Sequence, residues 1–233
     1  MTKAKSNGDK AKAAKSRERG EGRLREQVIA TALDMSRSGL SPNRSGNVSA
    51  RFADGMLITP TGMAYEDIGP KDIVFVAADG SVPGKQKKPS SEWHFHLAAY
   101  QARPDMNAVV HTHSLHAVVL ACAGRPIPPF HYMVAVAGGS DIPLVPYATF
   151  GSPELASYVA RGLAHRNACL MAHHGAIAIG NTLPHALELA HEVEVLAEQY
   201  YKVLTIGPQQ QLLESEMEIV LEKFKTYGQK AQE

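Results

Sequence analysis

Hydrophobic positions change their period several times along the chain, and each change predicts an element. Leu24, Val28, Ala32 and Met35 recur at helical spacing, Ile29 and Leu33 widen the stripe, and Gly39 stops it. That pattern predicts an amphipathic helix. After the turn-rich stretch Ser41 to Asn47, Val48–Phe52 and Met56–Thr59 read as two strands joined through Asp54-Gly55. Thr59-Pro60-Thr61-Gly62 reads as a tight loop, and Ile73–Ala77 as a third strand ended by Asp79-Gly80. Pro89-Ser90-Ser91-Glu92 predicts a helix start, with serine at the cap and glutamate in the first turn, running to about Ala102. An apolar run through Val109 and Val110 predicts a strand, followed by a helix over Leu115 to Ala123. A proline-rich loop, Arg125 to Phe130, leads into His131-Tyr132-Met133 and a predicted strand, Val134 to Ala137. Pro143, Pro146 and Gly151 mark a loop, and Ser152-Pro153-Glu154 a further helix start. Ala168–Ala172 and Ala176–Ile179 predict strands around His173-His174-Gly175. A long helix from Pro184 to about Leu204 carries Leu187, Ala190, Val193 and Ala197 on one face, and a last helix covers Glu216 to Phe224. There is no repeat. Strands and helices mix without strict alternation, so the expected class is α/β of the α+β type, a central mostly antiparallel sheet flanked by helices.

Composition changes this picture at one end only. The 233 residues are 44% hydrophobic and 20% charged, which suits one globular domain over residues 23–233. Residues 1–22 carry seven basic and three acidic side chains, so this segment stands at +4 and the remainder at −3 within a net +1. With hardly a bulky apolar side chain it is expected to be a disordered basic tail. No aromatic interleaves its charges, so neither nucleic acid nor a membrane is an expected partner. No apolar run is long enough to span a bilayer, and no signal core opens the chain. The two cysteines, Cys122 and Cys169, sit in apolar runs and read as small buried hydrophobes. These features together predict a cytoplasmic protein.

The candidate chemistry lies in Ala108-Val109-Val110-His111-Thr112-His113. Alternation in a strand puts His111 and His113 on one face, and two imidazoles at a strand end form half of a zinc site. A catalytic zinc takes three protein ligands and keeps an open position. One of His173 and His174 is the best third candidate, since neighbours in a strand face opposite ways. Glu92, at its helix start, suits either capping electrostatics or acid–base chemistry. The same helix start could hold phosphate, with Ser90 and Ser91 adding hydroxyls and the loops Gly46-Asn47 and Thr61-Gly62 completing a cradle.

The motifs GNVSARF, DGMLITPTGM, PSSEWHFH, NAVVHTH, HYMVAVAGG, PYATFGSPEL, HHGAIA, HEVEVLAEQYY and FKTYG resemble those of class II sugar-phosphate aldolases of the aldolase/adducin superfamily. The resemblance covers residue 24 to Gly228, and within the family it is strongest to the branch that cleaves L-fuculose 1-phosphate. It implies a three-layer fold and retro-aldol cleavage of a ketose 1-phosphate to dihydroxyacetone phosphate and an aldehyde such as L-lactaldehyde. It implies one zinc per subunit on His111, His113 and His174, with Glu92 as both resting metal ligand and acid/base. The phosphate site it implies comprises Gly46, Asn47, Thr61, Gly62, Ser90 and Ser91. Tyr132 would act from a neighbouring subunit of a homotetramer, and Tyr227 would belong to a closing tail. A pentulose-phosphate 4-epimerase or methylthioribulose-phosphate dehydratase on the same metal site, or an adducin-like scaffold without activity, are the alternatives. The chain departs from the family pattern in its basic tail and in the loop SPNRSGN, where Arg44 stands beside the phosphate cradle and could alter substrate preference.

Overall fold

The chain is described by a computed structural model over residues 3–226, with side chains from Glu18 onward. Seven strands, β1 (Asn47–Phe52), β2 (Gly55–Ile58), β3 (Val74–Ala77), β4 (Ala108–Thr112), β5 (Leu144–Val145), β6 (Ala168–Met171) and β7 (Gly175–Gly180), form one sheet in the order β3-β2-β1-β4-β7-β6-β5. Every pair is antiparallel except β5 with β6. Six α-helices accompany it: α1 (Lys3–Arg37), α2 (Trp93–Ala102), α3 (Leu115–Cys122), α4 (Pro153–Leu163), α5 (Leu183–Ile206) and α6 (Glu214–Phe224).

Strand alternation divides the apolar side chains between two cores. Ala108 and Val110 of β4, with Ala176 and Ala178 of β7, pack with Val28, Ala32 and Met35 of α1 and Leu189 and Val193 of α5. Val109, Ile177 and Ile179 point the other way and pack with Phe95 of α2 and Leu155 and Val159 of α4. The result is helices, sheet, helices in three layers. His111 shares the parity of Val109, so the strand aims it into the α2 layer.

Local signals end most helices where the sequence predicts. Past Gly39 the Leu40 N–H returns to the Met35 carbonyl at 3.1 Å. Ser152 Oγ accepts the Leu155 N–H at 3.1 Å at the start of α4, and Thr182 Oγ accepts the His185 N–H at 3.3 Å at the start of α5.

Three expectations are corrected. Residues 132–137, predicted as a strand from Val134 on, form a 3-10 turn, with His131 Nδ1 accepting the Met133 N–H and Gly138 in the left-handed region at φ 82°. A short apolar run carries no period that separates a strand from a tight helix. The loop around Pro143 and Pro146 contains β5, held by its parallel pairing to Leu170 and Met171. The Cys122 side chain is exposed, whereas Cys169 is buried as expected. Helix α1 begins at Lys3, its residues before Glu18 being described by their backbone alone. Its lysine, alanine, arginine and glutamate are good helix formers whether or not they have a surface to pack on.

Candidate metal centre

Three elements converge on one point. Strand β4 delivers His111 and, just past its end, His113, whose N–H is fixed by the Leu40 carbonyl at 3.1 Å. The β6–β7 hairpin delivers His174. Its turn is tight: His173 sits in the left-handed region at φ 55°, and the His174 N–H bonds the Met171 carbonyl at 3.0 Å. Gly175 runs so close to β4 that a Cβ there would lie 2.3 Å from the Thr112 carbonyl oxygen. The start of α2 delivers Glu92 from across the sheet.

Glu92 is the residue at the helix boundary, not a first-turn residue, and its side chain makes no cap. Ser90 Oγ instead receives the Glu92 N–H at 3.3 Å. The buried carboxylate turns to the histidines, with Oε1 2.9 Å from His174 Nε2 and Oε2 3.3 Å from His111 Nε2. His113 Nε2 lies 3.0 Å from His111 Nε2. One donor atom from each of Glu92, His111, His113 and His174 falls within 4.8 Å of every other, the only such cluster among the described residues. Phe95, three residues along α2, presents its ring to His111 and His174 at centroid distances of 5.1 and 6.4 Å and walls off one side.

This donor set fits a divalent cation. The His111 Nδ1–H donates to the Ala176 carbonyl at 2.9 Å, which fixes the tautomer and leaves the Nε2 lone pair facing the cluster. Burial, with His111 and His174 as neighbours, pushes His113 down to about 3 and keeps it a neutral ligand. Burial would raise the Glu92 carboxyl, but the neighbouring His111 and His174 outweigh it and hold the group below the usual carboxylate range. Three imidazole nitrogens and one carboxylate are a ligand set that would suit a divalent cation such as zinc. His111, His113 and His174 are thus brought together as expected, and of the adjacent pair it is His174 that joins the cluster.

The cluster opens on a cleft of about 410 Å³ lined by Ser45, Ser91, Glu92, His113, Tyr147, Ala148, Phe150, His173 and His174. Of the residues expected to hold phosphate, Ser91 alone lines it. The Ser90 N–H bonds the Thr59 carbonyl at 3.0 Å and the Thr61 N–H the Lys88 carbonyl at 3.1 Å, joining Thr61-Gly62 to Ser90-Ser91. Two backbone donors expected to be free for a ligand are engaged within the protein, that of Thr61 and that of Gly46, which bonds Ser41 Oγ at 2.7 Å. Asn47 is buried, and its amide donates to Glu92 Oε2 at 2.8 Å. Arg44 is exposed, with φ 67°.

Tyr132 is 49% exposed, packs near Phe224 and does not line the cleft of its own chain. Tyr227 lies outside the described residues. Sequence reasoning missed Tyr147 and Phe150, both exposed at the cleft mouth. Their signal was two aromatic side chains in a proline-bounded loop with no apolar period to bury them.

Comparison with known proteins converges on the same chemistry. Residues 26–201 match the family described as Class II Aldolase and Adducin N-terminal domain. The chain is 52% identical to L-fuculose phosphate aldolase of Escherichia coli K12 over 212 residues, covering 91% of this chain and 98% of that one. It is 53% identical to 5-methylthioribulose-1-phosphate/5-deoxyribulose-1-phosphate aldolase of Rhodospirillum rubrum, over 90% of this chain and 94% of that one. A solved structure of an L-fuculose 1-phosphate aldolase superposes with a TM-score of 0.83 at 37% identity, covering 87% of this chain and 96% of that one. A histidine–glutamate metal centre at the meeting point of β4, the β6–β7 hairpin and α2, in a chain matched over most of its length, makes this protein a member of the class II aldolase and adducin family.

Proposed function

We propose that the protein is a metal-dependent lyase that cleaves a ketose 1-phosphate, with L-fuculose 1-phosphate as the first candidate, to dihydroxyacetone phosphate and an aldehyde. The observation that carries this reading is the position of Glu92, a buried ionised carboxylate within hydrogen-bond reach of two of three clustered histidines and at the edge of an open cleft.

His111, His113 and His174 would hold the metal, which we assign as one zinc per subunit from the three-nitrogen set. When bound, such a cation acts as a Lewis acid that stabilises negative charge developing on a substrate oxygen. The chain supplies the rest. Glu92, freed from the histidines, is the base and acid for the proton on the dihydroxyacetone phosphate carbon. The joined loops Thr61-Gly62 and Ser90-Ser91, with Gly46 and Asn47 behind them, orient the phosphate and so the carbon chain. Tyr132 of a neighbouring subunit handles the proton on the aldehyde oxygen, and Tyr227 helps close the site. The assembly is a cytoplasmic homotetramer with sites at its subunit boundaries. No described helix is long and apolar enough to cross a membrane.

An identity of 53% to a relative named for 5-methylthioribulose and 5-deoxyribulose 1-phosphates, beside 52% to the fuculose-phosphate enzyme, favours a second substrate reading within the same reaction. Both are tested by a coupled assay for dihydroxyacetone phosphate across a panel of ketose 1-phosphates. The first reading expects kcat/KM highest for L-fuculose 1-phosphate. A higher value for 5-deoxyribulose 1-phosphate moves the assignment to the second, and no release from any member of the panel overturns both.

A further inference from the structure

A line of buried polar side chains runs away from Glu92 into the α2 layer, and beyond its first member, Asn47, the proposed chemistry does not use it. Asn47 donates its amide N–H to Glu92 Oε2 at 2.8 Å, which turns its Oδ1 towards His96 Nε2 at 2.5 Å. His96 Nδ1 meets Ser49 Oγ at 2.7 Å, and Ser49 Oγ meets the Tyr100 hydroxyl at 2.9 Å. His96 and Ser49 are wholly buried, and Asn47 and Tyr100 are 4% exposed.

The direction of every hydrogen bond follows from Asn47. Its Oδ1 can only accept, so His96 Nε2 carries the proton. Nδ1 is then a lone pair, the Ser49 hydroxyl donates to it, and Ser49 Oγ accepts from Tyr100. Burial pushes His96 down to about 3, so the ring stays neutral and this single tautomer holds. All four donors point towards the carboxylate. Tyr100 ends the line inside the protein, with Arg51 over its ring at 4.8 Å. It is therefore built as a clamp and not as a proton wire.

We propose that His96 is a positioning residue for the aldol chemistry: it locks the Asn47 amide in one orientation, and Asn47 in turn holds the Glu92 carboxylate where it can leave the histidines and meet the substrate carbon. Without the His96 donor, Asn47 can turn its oxygen to Glu92 and repel the carboxylate. A polar network of this kind is costly when half-satisfied, so its retention beside the acid/base has a functional reading. The inference rests on the aldolase reading above.

The test compares His96→Gln with His96→Met. The two side chains have nearly the same length and shape, but only glutamine has an N–H for Asn47 Oδ1. With the metal-loaded enzyme and its best ketose 1-phosphate, His96→Met should lower kcat roughly 10- to 100-fold, the scale of a misplaced reacting group, while KM moves less than about threefold. His96→Gln should recover most of that loss. Methionine leaves the buried Asn47 Oδ1 and Ser49 hydroxyl unpaired, so its thermal midpoint should also fall below that of the glutamine variant, and the kcat-against-KM split is what separates positioning from stability. Equal kcat in the two variants, or loss confined to KM, would overturn the clamp. Ser49→Ala, which removes the second support of the ring and leaves its bond to Asn47, should cost a smaller part of kcat and serves if either histidine variant folds poorly. Crystal structures of the variants give a reading independent of activity. Asn47 should part from Glu92 in His96→Met and stay in His96→Gln. An unchanged Asn47 in both defeats the clamp even if the wild-type protein cleaves none of the sugars, which is the outcome that defeats the aldolase reading instead.

Discussion

Among single residues, Glu92 has the most demanding position. Burial opposes its charge, and two imidazoles restore it. A carboxylate arranged this way serves the histidine cluster at rest and can take a proton when displaced. Glu92→Gln keeps the volume and the hydrogen bonds but removes the base. Turnover should fall by about two to four orders of magnitude, while metal content measured by plasma emission stays near that of the wild type. Near-normal turnover would place the proton transfer on another group. His111→Ala should act differently. It removes a ligand whose tautomer the Ala176 carbonyl fixes, so metal content and activity should fall together, and added zinc should restore activity only in excess.

At the level of elements, the centre depends on how closely the β6–β7 hairpin approaches β4. The Gly175 α-carbon faces the Thr112 carbonyl, with no room for a methyl group, and the obstacle is backbone that cannot rotate away. Gly175→Ala should therefore push the hairpin off β4, carrying His174 with it. The expected cost is about 1–3 kcal/mol, the usual range for overpacking, read as a lower denaturation midpoint. Metal affinity should weaken in the same variant, because His174 no longer meets His111 and His113. A stable variant with undiminished metal affinity would show that the hairpin adjusts without moving its ligand. Gly46 also approaches closely, since a Cβ there would lie 2.5 Å from the His111 carbonyl oxygen, and ties the neighbouring strand β1 to the same centre.

For the whole molecule, two questions extend beyond one domain. Residues 1–22 connect to the body through the Arg25–Glu21 pair at 2.7 Å, while Arg25 also bonds the Pro70 and Ile73 carbonyls. Removing residues 1–22 deletes Glu21 but leaves those carbonyl bonds. We expect a loss of roughly 0.3–0.5 kcal/mol, as for an i,i+4 helix pair, with unchanged kinetics and oligomeric state. A large drop in thermal midpoint would show that the segment docks onto the domain. The second question is completion of the site across a subunit boundary. Tyr132 is half-exposed and outside its own cleft, which is where a tyrosine serving a neighbour would be. Tyr132→Phe and Glu92→Gln proteins should each be nearly inactive, yet regain activity when their subunits are mixed, because some sites then carry neither lesion. Confirmed subunit exchange without recovery would remove Tyr132 from a shared site.

The chain by itself determined the elements with a clear period or a strong boundary signal. Helical spacing from Leu24 to Met35, the Asp54-Gly55 hairpin, the serine cap of α4 and the alternation through β4 are local properties, and local physics decides them. The pairing of His111 with His113 was legible for the same reason, since two residues apart on a strand means one face. Which of His173 and His174 joins them was not legible from local rules, because the pair lies in a left-handed turn and not in a strand where alternation applies. Likewise the sequence placed Glu92 in a first turn, where a carboxylate ordinarily serves the helix, and only the tertiary fold turned it away towards β4 and β7. The line from Asn47 through His96 and Ser49 to Tyr100 was invisible in the chain. Its members come from β1 and α2, 47 to 51 residues apart where they bond across, and only packing in the buried layer decides which hydroxyl meets which ring.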